Sequence, residues 1–201
     1  MAPTAPPYDR ARMENSGTGM RRWTTATVHT DMWAEPGEDP RADGGTAVTD
    51  ERGALLDALR HFRLTLELTC EGLDAEQLAR RSVPPSAMSL LGLVRHMAED
   101  ERHFRRLAGE AAPRIYRTPD DSEGEWTGAV ADPAVVEEAL RRWKEEAGAT
   151  DACLAAAPDL GARTPDGTRL RELPTLQITE YTRRCGHADL LRERVDGRVG
   201  Q

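Results

Sequence analysis

The feature that most constrains this chain is a spacing. Four stretches repeat apolar residues every three or four positions, and none alternates convincingly with period two. The first follows Asp50, a plausible N-cap, through Leu55, Leu56, Leu59, Phe62 and Leu66 to a stop at Gly72. Pro84 and Pro85 then preclude a continuous helix, and Ser86 or Ser89 opens a second stretch through Leu90, Leu93, Val94, Met97, Phe104 and Leu107. In the third, Asp132 caps and Pro133 begins a helix with Val136, Leu140, Trp143, Ala147 and Leu154 on its buried face, ending near Pro158. The fourth runs from about Pro174 to Arg194, with Leu176, Tyr181, Ala188, Leu191 and Val195 as one stripe before Gly197. Each is amphipathic and none is apolar all round. That pattern predicts an all-α fold, an antiparallel four-helix bundle.

The organisation follows from what surrounds these stretches. Residues 1–48 hold Ala, Pro, Gly, Asp, Thr and Arg without a sustained period, which predicts an unstructured tail. Met13, Met20 and Met32 are alternative starts within it. Residues 49–201 then form one helical domain. Between the second and third helices lies a long polar connection, "EAAPRIYRTPDDSEGEWTGAVA", carrying Tyr116 and Trp126; segments of that length often cover sites.

Charge and composition exclude several classes. A net charge of −8, with arginines scattered among acids, argues against binding a nucleic-acid backbone. No run approaches the ~20 apolar residues that cross a bilayer, and no secretory layout opens the chain, so neither a membrane nor export is expected. Cys70, Cys153 and Cys185 form no CxxC pair and leave an odd thiol, which suits a reducing, cytoplasmic setting.

The chemistry-bearing residues gather on two helices. Bundle metal sites are built from side chains on facing helices, and His96 in the second helix and Glu180 in the fourth are placed for that. Each has a plainer fate: a satisfied core histidine for His96, and an i, i+4 ion pair with Arg184 for Glu180. Cys185 and His187 flank Gly186, an arrangement that could bind a soft cation or activate a thiolate as a redox sensor. Asp100 and His103 continue the His96 stripe and read as a solvated face. A serine or cysteine catalytic signature, a phosphate-cradling loop and a dinucleotide fingerprint are all missing from the sequence.

The stretches "GLDAEQLARRSVPPSAMSLLGLVRHMAEDERHF" and "EYTRRCGHADLLRERVDGRVG" resemble the DinB-like superfamily, in particular its branch called the mini-circle protein family. The resemblance covers about residues 50–200. It implies a four-helix bundle, often dimeric, with a divalent metal such as zinc or nickel held by a histidine on the second helix and two ligands on the last. Relatives include transferases of low-molecular-weight thiols and the mycothiol-dependent maleylpyruvate isomerase. Carried over by position, His96 and Glu180 match ligands. The remaining ligand position, in the branch's "ARHNGHAD", is Arg184 in "TRRCGHAD", and a guanidinium offers a metal no lone pair. Leu176 and Thr179 also stand where relatives show histidine and glutamate.

Two readings follow. Either Arg184 takes the metal's place and neutralises Glu180, or His187, at i, i+7 from Glu180, completes a His96, Glu180, His187 metal site. The function expected is correspondingly a metal-dependent hydrolase or thiol transferase, with the loop around Trp126 as a lid, or a non-catalytic bundle that binds a small molecule or a protein.

Overall fold

The computed structural model describes residues 33–34, 39–42, 48 and 50–200. The rest of the expected tail, with Met13, Met20 and Met32, lies outside the described residues. Six helices and no strand occur among the described residues: α1 (Glu51–Cys70), α2 (Ala75–Ala79), α3 (Leu90–Leu107), α4 (Gly124–Thr127), α5 (Pro133–Ala156) and α6 (Glu172–Asp196). The four long ones correspond to the four periodic stretches.

Their starts are set by capping side chains. Asp50 Oδ1 accepts the Gly53 N–H at 2.7 Å, and Asp132 Oδ1 accepts the Ala134 N–H at 2.8 Å with Pro133 in the first turn. Ser89 rather than Ser86 caps α3, accepting the Gly92 N–H at 3.1 Å. The segment between α1 and α3 adds α2, closed by a reciprocal capping box between Asp74 and Gln77. Gly197 ends α6 with φ +83°, the left-handed conformation that favours glycine at that position.

Leu59, Leu66, Leu93, Met97, Trp143, Leu154, Tyr181 and Leu191 fill the core between these helices. Leu176, placed on the buried stripe of α6 from sequence, is instead 61 % exposed. The reason is angular: Leu176 sits five residues, roughly 140°, from Tyr181, whereas Leu173, Gln177, Tyr181, Ala188 and Leu191 share the inward face.

Side-chain contacts give the helix senses. Phe62 meets Cys185 and Thr69 meets Arg192, so α1 and α6 run the same way. Arg52 meets Leu154 while Arg63 meets Asp151, so α5 runs against α1. Arg95 lies over Tyr116, which bonds Glu138, and Arg102 bonds Glu146 further along, so α3 and α5 share a sense. The order is up, down, down, up. Antiparallel pairing therefore holds for α1 with α5 and for α3 with α6, while two neighbouring pairs are parallel. A parallel pair requires the chain to return along the bundle, which is what the long 108–132 connection does. Of the expected tail, Trp33 is buried, and Arg60 donates to the Pro40 carbonyl at 3.1 Å.

Candidate functional site

The connection between α3 and α5 is held down by α3. Glu99 Oε1 accepts the N–H groups of Ile115, Tyr116 and Arg117 at 2.9, 2.7 and 3.0 Å. Arg95 donates to the carbonyls of Glu125 and Gly124, both at 3.0 Å, and its guanidinium lies 3.8 Å from the centre of the Tyr116 ring. Two glycines permit this closeness. A Cβ on Gly92 would meet Trp126 Cε3 at 2.8 Å, and one on Gly124 would collide with the Tyr116 carbonyl oxygen.

The pinned segment delivers Trp126 and Glu125 to His96. Trp126 stacks on the imidazole with ring centroids 5.2 Å apart and planes at 24°. His96 Nε2 lies 3.2 Å from Glu180 Oε1, and Nδ1 lies 3.5 Å from Glu125 Oε1. Both carboxylates carry an arginine. Arg184 donates to Glu180 through Nε at 2.7 Å and through Nη2, and Arg117 donates to Glu125 through Nε at 2.6 Å and through Nη2. Trp126 thus covers one face of His96.

Electrostatics follow from this arrangement. Burial works to raise Glu180, but hydrogen bonds from His96 and Arg184 outweigh it and hold the carboxyl below its ordinary value. Burial likewise opposes Glu125, and Arg117 wins. Burial and the Arg184 charge together lower His96, outweighing both carboxylates. Asp100, one turn from His96 on α3, is different. It is half-buried rather than fully solvated, and no hydrogen bond or ion pair reaches its carboxylate among the described residues. Burial, with Glu101 and Glu180 nearby, pushes it up to about 7.

Of the expected ligands, the structure brings His96 and Glu180 together. His187 is two turns, about 10 Å, further along α6, and no hydrogen bond joins it to either residue. Glu180 is committed to Arg184 and Glu125 to Arg117, so each carboxylate already has a cation. No group of three His, Cys, Asp or Glu side chains is arranged to hold a metal ion among the described residues. His96 and Glu180 give two donors, one fewer than the three protein ligands of an open tetrahedral zinc site.

Cys185 is not an activated thiol. It is buried, donates to the Phe62 carbonyl at 3.5 Å, and burial pushes it up to about 12, contrary to the depressed value a redox sensor requires. Sequence reasoning missed Glu125, Arg117, Glu99 and Gln177. Glu125 and Arg117 belong to a connection without periodicity, where only its length signalled a role, whereas Glu99 lies on α3 and Gln177 on α6.

No helix among the described residues is long and apolar enough to cross a membrane. Neither curated proteins nor solved structures give a match to the chain. The family described as mycothiol-S-transferase does match, over residues 54–197, a span that includes α1, α3, α5 and α6 nearly complete and every residue of the His96 cluster. The chain belongs to the mycothiol-S-transferase family, a DinB-like family of helical proteins.

Proposed function

We propose that this protein joins mycothiol, a low-molecular-weight thiol, to an electrophilic small molecule, using the charges of Arg184 and Arg117 at a position where the metal of DinB-like relatives would sit. The observation that carries the reading is the family match across residues 54–197, which contains both helices that build the His96 cluster. The sequence "TRRCGHAD" supports the narrower kinship with the mini-circle branch, whose wider superfamily includes mycothiol-dependent maleylpyruvate isomerase.

The chemistry divides among the residues as follows. His96 Nε2 is engaged with Glu180, and its Nδ1 lies 3.5 Å from Glu125 without a hydrogen-bond partner among the described residues. Asp100 is left as the open carboxylate beside it, and a base near pH 7 is well matched to a thiol proton. Asp100 takes the proton, the sulfur forms a bond to the electrophilic carbon, and the leaving group departs with its electron pair. Arg184 and Arg117 stabilise the thiolate as it forms, and Trp126 excludes water.

Mass spectrometry of products from mycothiol and monobromobimane tests this, with elemental analysis of untagged protein purified without chelator. A bimane conjugate formed at a rate insensitive to chelator supports the reading. Conjugation abolished by chelator and restored by zinc overturns the metal-free assignment. A second reading, a bundle that binds its ligand without reacting, is favoured by the full pairing of Glu180 and Glu125 with arginines. It predicts mycothiol binding with no conjugate.

A further inference from the structure

Gln177 is 3 % exposed, and neither its Oε1 nor its Nε2 has a hydrogen-bond partner among the described residues. Buried carboxamides are almost always paired, and leaving both ends desolvated costs more than an apolar side chain of similar length would. The residue occupies an inward position on α6. It lies one turn before Tyr181, whose hydroxyl reaches Glu101 and the Trp143 indole in the core, and three residues before Glu180.

Asp100 approaches the same place from the opposite helix. Because α3 and α6 run in opposite senses, moving from His96 to Asp100 and from Glu180 back to Gln177 goes the same way along the bundle. The His96 to Glu180 contact at 3.2 Å fixes that register. Gln177 and Asp100 therefore sit about one turn, roughly 5 Å, from the reacting end of the cluster. Gln177 supplies one N–H donor group and one oxygen acceptor that no described protein atom uses.

We infer that Gln177 forms the subsite that holds an amide of the thiol co-substrate, its Nε2 donating to the amide carbonyl and its Oε1 accepting the amide N–H, with Asp100 nearby left free as the base. This rests on the thiol-transfer reading. One helical turn matches the reach from a cysteinyl amide to its own sulfur, so an amide seated here presents the sulfur beside His96 and Arg184. A built-in cost to the free protein is then relieved when the co-substrate binds.

The test compares the parent with Gln177→Leu, and with Gln177→Met should leucine disturb the packing. Steady-state conjugation of mycothiol to monobromobimane is read together with the thermal midpoint. The expected result is a higher midpoint, because the orphaned amide is gone. Alongside it, KM for mycothiol rises about tenfold or more while KM for the bimane is unchanged. An unchanged mycothiol KM overturns the subsite whatever the midpoint does, and so does a rise confined to the bimane KM. A parent that neither binds nor conjugates mycothiol overturns the thiol-transfer reading and the subsite together.

Discussion

At the scale of single residues, the site depends on side chains that are absent as much as on those present. Gly92 lies in the first turn of α3, and any Cβ there would press on Trp126, the ring that stacks on His96. Alanine at this position gains helix propensity worth ~1 kcal/mol, while overpacking of a closed contact costs ~1–3 kcal/mol. Overpacking wins because Trp126 is held from behind by the Arg95 bonds to Gly124 and Glu125 and has little room to retreat. Gly92→Ala is expected to lower stability by ~1 kcal/mol in a denaturant titration and to reduce bimane conjugation several-fold. A variant at least as stable as the parent with full conjugation would show that the stacking of Trp126 on His96 is incidental. Arg184 makes the complementary point, since one guanidinium on Glu180 changes what that carboxylate can hold.

At the scale of elements, α3 and α5 are fastened by charge near the end of α3. Glu146 of α5 is 3 % exposed and accepts from Arg102 at 3.1 Å and from Arg105. Burial alone would raise its carboxyl, but the Arg102 and Arg105 bonds outweigh burial and hold it below the ordinary value. A folded-state value below the unfolded one means that stability is present above about pH 4.5 and is lost as pH falls through the folded value. Glu146→Gln should therefore lower the thermal midpoint by several degrees at pH 7 and by much less at a pH below the folded value, where the parent has lost the same contribution. Equal losses at both pH values would mean that the charge of Glu146 carries none of the stability. The long helices themselves were legible because apolar period and capping residues survive in one dimension. So was the Glu180–Arg184 pair, which follows from i, i+4 geometry on α6, while the meeting of His96 with Glu180 was suggested by their places on two facing helices. The helix senses were not, because a period of 3.6 reads the same in both directions; only the length of the 108–132 connection hinted at the return. Glu125 and Arg117 sit in that aperiodic segment, and Gln177 reads as a surface residue because a buried unpaired amide violates the ordinary rule.

At the scale of the whole molecule, one polar chain crosses the core and touches all four long helices. Arg63 of α1 donates to Glu101 of α3 through Nε at 2.8 Å and Nη2 at 3.1 Å, and to Asp151 of α5 through Nη1 at 2.7 Å. Tyr181 of α6 donates to Glu101 at 2.7 Å and accepts from the Trp143 indole of α5 at 2.8 Å. Apolar packing is less directional than hydrogen bonding, and this chain is satisfied in the register that places Glu180 beside His96. Its effect on net stability is a separate matter. Removing one member of a buried ion pair leaves the other charge desolvated, at ~3–5 kcal/mol, while replacing both by apolar groups of similar size is often nearly neutral. Arg63→Met is therefore expected to destabilise by that amount in urea titration. Adding Glu101→Leu should recover most of it, because Tyr181 keeps its bond from Trp143, no buried carboxylate remains to be paired, and Asp151, which also loses Arg63, is exposed enough to be solvated. If the chain sets register, the recovered double variant will still conjugate mycothiol poorly, since stability returns without the contact that aligns α6 against α3. Full conjugation in a fully stable double variant would assign the register to the apolar core and leave the polar chain with no part in forming the site.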